Sequence, residues 1–89
     1  MKSHITKSFR KYFANLPKDI QGHAKKSYRL WRKDPFHTSL QFKQISQRQV
    51  IYSVRINLGY RALGLIEKDE IYWFWIGPHG DYDNLLKRL

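Results

Sequence analysis

Apolar residues recur along the first third of the chain with a helical period. Ile5, Phe9, Tyr12, Phe13 and Leu16 stand at offsets 0, 4, 7, 8 and 11, one face of a helix predicted over residues 5–15. Lys7, Arg10 and Lys11 fall mostly away from that face. Asn15-Leu16-Pro17 breaks the pattern, because proline cannot continue a helix but suits the first turn of the next. A second helix is predicted over 17–33, with Asp19 at its positive end and a narrow apolar stripe of Ile20, Ala24, Ser27, Leu30 and Trp31. Asp34-Pro35 ends it, since the residue before proline is pushed out of the helical region. Together the two make a helical hairpin.

The period then shortens to two. Leu40 and Phe42 alternate within 39–46. Within 50–56, Val50, Tyr52, Val54 and Ile56 take one face and Ile51, Ser53 and Arg55 the other. Asn57-Leu58-Gly59 reads as a hairpin turn. The next strand, 60–66, carries Arg61, Leu63 and Leu65 on one face, and Glu67-Lys68-Asp69 turns the chain again. The run Ile71-Tyr72-Trp73-Phe74-Trp75-Ile76 is apolar on both faces, as in a strand covered on both sides, and Gly77-Pro78 terminates it. Residues 79–89 return to helical spacing through Tyr82, Leu85, Leu86 and Leu89. The predicted fold is α+β: an N-terminal helical hairpin packed on a four-stranded antiparallel sheet, with a short C-terminal helix. It occupies residues 1–89 as a single domain.

Composition narrows the function classes. With 42% hydrophobic residues and 16% aromatics, the chain is far from a disordered composition. No apolar run approaches the roughly 20 residues that span a bilayer, and the basic start lacks the apolar stretch of a signal peptide, so a cytoplasmic protein is expected. The absence of cysteine excludes disulfides, a thiol nucleophile and a thiolate metal site. Charge adds the first functional signal. The chain carries 17 Lys and Arg against seven Asp and Glu, a net of +10. Residues 1–48 hold twelve basic and two acidic side chains, whereas 49–89 hold five of each. Charge gathered on one half points to an anionic partner: nucleic acid, an acidic protein or anionic lipid.

Three groups are candidates for chemistry. Lys18, Lys25, Arg29 and Arg32 lie at offsets 0, 7, 11 and 14 on one helix face, with Lys26 and Lys33 beside them. Such a face tracks a phosphate backbone, although most charge runs are merely solvated; here almost no acid is interleaved. Arg55 and Arg61 approach each other across the turn, either gripping a phosphate or lying exposed and paired with Glu67 or Asp69. His79 follows a rigid strand at the start of a helical segment, where it serves as a proton carrier or as a cap, a role open to Asp81 too. His4, His23 and His37 have no ligand spacing and no carboxylate cluster, so no metal site is expected. The aromatic run 72–75 fits a core better than a base-stacking platform. No P-loop, GxGxxG or GxSxG is present.

The segment Val50-Ile51-Tyr52-Ser53-Val54-Arg55-Ile56-Asn57-Leu58-Gly59-Tyr60-Arg61-Ala62-Leu63 resembles the RelE/ParE toxin superfamily of bacterial type II toxin–antitoxin systems. The helical hairpin, the aromatic strand and His79-x-x-Tyr82 extend the resemblance over residues 5–86. The RelE-like branch, favoured here, implies a metal-independent mRNA endoribonuclease that inhibits translation, usually on the ribosome, and needs no cofactor. The ParE-like branch implies a toxin that binds DNA gyrase. Both imply a cognate antitoxin, a small acidic protein. Carried over, Arg61 matches the arginine on the scissile phosphate and Arg55 the strand arginine before it. His79 matches the acid/base position, Tyr82 a second such group or a stacking ring, and Lys43 a functional lysine on the first main strand. Members begin with a strand before the helices; Met1–His4 is too short for one, so none is expected. Asp81 is the expected orienting partner of His79.

The resemblance thus implies 2′-hydroxyl attack on phosphorus, with Arg61 and Arg55 on the developing charge and His79 as acid or base opposite Tyr82 or Lys43. The products expected are 2′,3′-cyclic phosphate and 5′-hydroxyl ends. The rivals are a gyrase-binding toxin and a noncatalytic RNA-binding module on the same fold.

Overall fold

Thr6 sets where the first helix begins. In the structure, a computed structural model describing all 89 residues, its hydroxyl accepts the amide of Phe9 at 3.2 Å and donates to the carbonyl of Trp73 at 2.7 Å. This N-cap starts α1 at Lys7 (Lys7–Ala14) rather than at Ile5. Helix α2 spans Lys18–Lys33, and α3 spans His79–Leu86, stopping short of the predicted end at Leu89.

Residues Lys2–Ile5, ahead of Thr6, form a strand, β1, which corrects the expectation that this segment is too short. It pairs in parallel with β5 (Glu70–Pro78), from Lys2 opposite Glu70 to Ile5 opposite Trp73. Side chains distant in sequence secure it. Ser3 Oγ accepts from Trp73 Nε1 at 3.0 Å and from Tyr28 OH at 2.8 Å. His4 Nε2 meets Glu70 Oε1 at 2.7 Å, and its ring stacks on Tyr72 at 4.6 Å. The sheet is therefore five-stranded and mixed, in the order β1-β5-β4-β3-β2. Strands β2 (Lys43–Ser46), β3 (Ile51–Asn57), β4 (Tyr60–Glu67) and β5 form the predicted antiparallel meander. The predicted first meander strand is shorter than expected: Thr38–Leu40 is a 3-10 turn, and Gln41 is left-handed at φ 46°. Leu40 is buried all the same.

A bulge explains the doubly apolar strand. Leu63 pairs with Trp75 but Gly64 pairs with Trp73, so Phe74 is an extra residue and the alternation slips by one. Trp73 and Ile76 join Val54, Ala62, Ala24 and Trp31 on one face of the sheet, under α1 and α2. Trp31 meets Trp73 edge-on at 5.3 Å. Trp75 joins Ile51, Leu63 and Tyr82 on the other face, under α3.

Candidate active site

The site is organised by the turn between β3 and β4. Asn57 Oδ1 accepts the amide of Gly59 at 2.8 Å, an Asx turn that closes the hairpin. Helix α2 braces the turn from behind, with Ser27 Oγ donating to Ile56 O at 3.2 Å and His23 Nδ1 lying 3.0 Å from Asn57 Nδ2. Two proposed functional residues hang on this turn. Arg61 Nη1 donates to Asn57 O at 2.7 Å and to Tyr60 O at 3.0 Å. The amide of His79 donates to Gly59 O at 2.8 Å.

Arg55 and Arg61 are direct cross-strand partners, so their side chains share a face as the spacing predicts. Neither pairs with Glu67 or Asp69. The only ion pairs are His4–Glu70 and His79–Asp83, leaving all 17 lysines and arginines without a carboxylate partner. Burial, and after it the charge of Arg55, hold the Arg61 pKa below the ordinary arginine value; Tyr82 and Asp83 pull it the other way. The guanidinium stays cationic at neutral pH. Two of its five N–H groups serve the turn and three remain free. Across β4, Gly77 faces Arg61, and a Cβ there would lie 2.7 Å from Trp75 Cζ2. Only glycine lets the indole settle on the backbone beside the arginine.

His79 is the first residue of α3, and its Nδ1 lies 3.1 Å from Asp83 Oδ2. Asp83, not the expected Asp81, is therefore its carboxylate partner. The residue was missed, although its i, i+4 spacing from His79 was a usable signal. Tyr82 sits beneath, its ring centroid 5.8 Å from that of His79. It is only 6% exposed and donates its hydroxyl to Ser53 Oγ at 3.3 Å, so its ring is closed to a stacking base. Lys43 faces Ser53 across β2 and β3, which puts it on the arginine face, exposed and one row along. Arg55, Arg61 and Lys43 thus share one face of the sheet, and His79 is tied to the turn at its edge.

The basic helix lies elsewhere. Lys18, Lys25, Lys26, Arg29, Arg32 and Lys33 are exposed on α2, which packs on the opposite face of the sheet. Between α1, α2 and the sheet lies an apolar cavity of about 320 Å³, lined by Phe9, Phe13, Tyr28, Ile56 and others, with Arg10 and Lys25 as its cations. Nowhere do three His, Asp or Glu side chains gather as metal ligands, and no helix is long and apolar enough to cross a membrane.

The model of the ParE-like toxin domain matches residues 18–84. Solved structures share the fold. The toxin–antitoxin complex RelB-RelE from Methanococcus jannaschii aligns with TM-score 0.73 at 17% identity, covering 92% of this chain and 96% of that one. The YoeB/ParE toxin from Agrobacterium tumefaciens aligns with TM-score 0.69 at 14% identity, covering 89% and 99%. The isolated E. coli RelE toxin aligns with TM-score 0.65 at 16% identity, covering 98% and 96%. No curated protein sequence matches.

Proposed function

The chain belongs to the ParE-like toxin domain family, within the RelE/ParE superfamily, and we propose that this toxin cleaves messenger RNA without a metal. The observation that carries the proposal is the cross-strand Arg55/Arg61 pair with His79 tied to the same turn. Two like charges face to face cost the fold stability, and an anion bound between them offsets that cost. The scissile phosphate sits on the free N–H groups of Arg61, with Arg55 beside it. His79 takes the 2′-hydroxyl proton, and the 2′-oxygen forms a bond to phosphorus. The extra negative charge on the five-coordinate phosphorus falls on the arginines. The bond to the 5′-oxygen breaks, and Lys43 gives the leaving oxygen a proton. Tyr82, buried and bonded to Ser53, supports the ring of His79 rather than carrying a proton.

The exposed cations of α2 hold further phosphates, on the message or on ribosomal RNA. An acidic antitoxin fits the charge of the chain, and its apolar residues fit the cavity between the helical hairpin and the sheet. The solved RelB-RelE complex supports such a partner. A gyrase-binding toxin that cuts nothing is the second reading, favoured by the ParE-like description of the matching family.

The test is incubation of the purified toxin with a message on ribosomes, followed by end-group analysis. New 2′,3′-cyclic phosphate and 5′-hydroxyl ends, absent with Arg61→Ala, support cleavage. Gyrase inhibition with intact RNA supports the second reading.

A further inference from the structure

We propose that Asp83 is the positioning residue that fixes His79 as the general base. The role as base rests on the ribonuclease reading above; the contact does not. Asp83 and His79 lie four residues apart on α3, where such side chains meet on one face, and Oδ2 stands 3.1 Å from Nδ1. A carboxylate only accepts, so the proton of this bond belongs to Nδ1. The neutral ring is then the Nδ1–H tautomer, and its Nε2 carries the lone pair. A free histidine side chain in water prefers the opposite tautomer, so the bond reverses a default rather than reinforcing one.

Both ends of the residue are thereby held. The Gly59 carbonyl holds the main chain at 2.8 Å, and Asp83 holds the ring. Asp81 cannot substitute, because two residues along a helix is the wrong side of it. A carboxylate this close to the arginine pair repels a phosphate. Its influence reaches Arg61, whose pKa it helps to raise. Orientation of the imidazole is the gain that offsets that repulsion. The two side chains are 46% and 53% exposed, so solvent screens their Coulomb attraction. The position of the proton survives that screening.

Long-range proton–nitrogen NMR of the full chain, at a pH where the ring is neutral, reads the tautomer directly. The wild type is expected as Nδ1–H. Asp83→Ala reverts to Nε2–H, whereas Asp83→Asn, whose carboxamide oxygen still accepts, keeps Nδ1–H. Single-turnover cleavage of a message on ribosomes slows about fivefold in Asp83→Ala, and less in Asp83→Asn. A wild-type ring in the Nε2–H form, or a tautomer unmoved by Asp83→Ala, overturns the proposal. So does Asp83→Asn cutting as slowly as Asp83→Ala with the tautomer intact, because the charge and not the orientation then matters. The expected tautomer in a wild type that cuts no RNA removes the base role together with the ribonuclease reading, and leaves only a helix contact.

Discussion

Arg61 and His79 are held by one hairpin turn: Arg61 donates to the carbonyls of Asn57 and Tyr60, and the amide of His79 donates to the carbonyl of Gly59. The turn is braced by Ser27 and His23 of α2. The proposed phosphate-binding group on β4 and the proposed proton carrier at the start of α3 are thus both set by three carbonyls within residues 57–60. Arg61→Ala is expected to slow cleavage about 10²–10³-fold, the usual loss when one transition-state donor is removed. Arg61→Lys fails nearly as badly, since a single ammonium cannot grip the turn and also present a planar fork. Cleavage assays on ribosomes, with circular dichroism to confirm folding, check both variants.

Arg55→Gln is expected to stabilise the protein while slowing cleavage. The arginines are cross-strand partners with like charge, and neither has a carboxylate partner. The Arg61 pKa is lower folded than unfolded, so its charged form costs the fold wherever it is protonated in both states, which includes all neutral pH. That cost fades only as pH rises through the folded pKa toward the unfolded one. Removing Arg55 relieves its share, about 0.5 kcal/mol, or about 2–4 °C in Tm. Thermal melts at neutral pH read the gain; a fall in Tm contradicts it.

The meander, the helical hairpin and the shared face of Arg55 and Arg61 were legible in the sequence because they rest on local period and turn spacing. Strand β1 was not, because Lys2-Ser3-His4-Ile5 has little pattern of its own and is held by Trp73, Tyr28 and Glu70. The bulge at Phe74 was hidden inside a run in which every residue is apolar. The charge stripe on α2 was legible, but not its separation from the arginine pair, since spacing along a helix does not say which side of a sheet the helix covers. Asp83 was passed over for the nearer Asp81, although the helical period already favoured the fourth residue after His79.

Tyr82→Phe separates packing from chemistry. Tyr82 is buried, and its hydroxyl bonds Ser53. Losing that bond is expected to cost about 1 kcal/mol in denaturant unfolding. Cleavage is retained within about twofold. A proton-transferring tyrosine would instead lose activity on the scale of His79→Ala.

If the toxin cleaves RNA as proposed, the face opposite the arginines is expected to contribute affinity rather than chemistry. Lys25→Gln with Arg29→Gln removes two exposed cations from α2. The slope of log binding constant against log salt is expected to fall by about 2 in magnitude, about one for each phosphate contact. The cleavage rate at saturating ribosomes is unchanged. A fall in that rate with an unchanged slope contradicts the separation of the two faces.

The most direct test of the central claim is brief induced expression of the wild type beside His79→Ala, with transcript 5′ ends mapped across the cell. The account predicts growth arrest with new 5′-hydroxyl ends inside translated messages, lost in the variant. Arrest with intact messages, or new ends undiminished in His79→Ala, would contradict it.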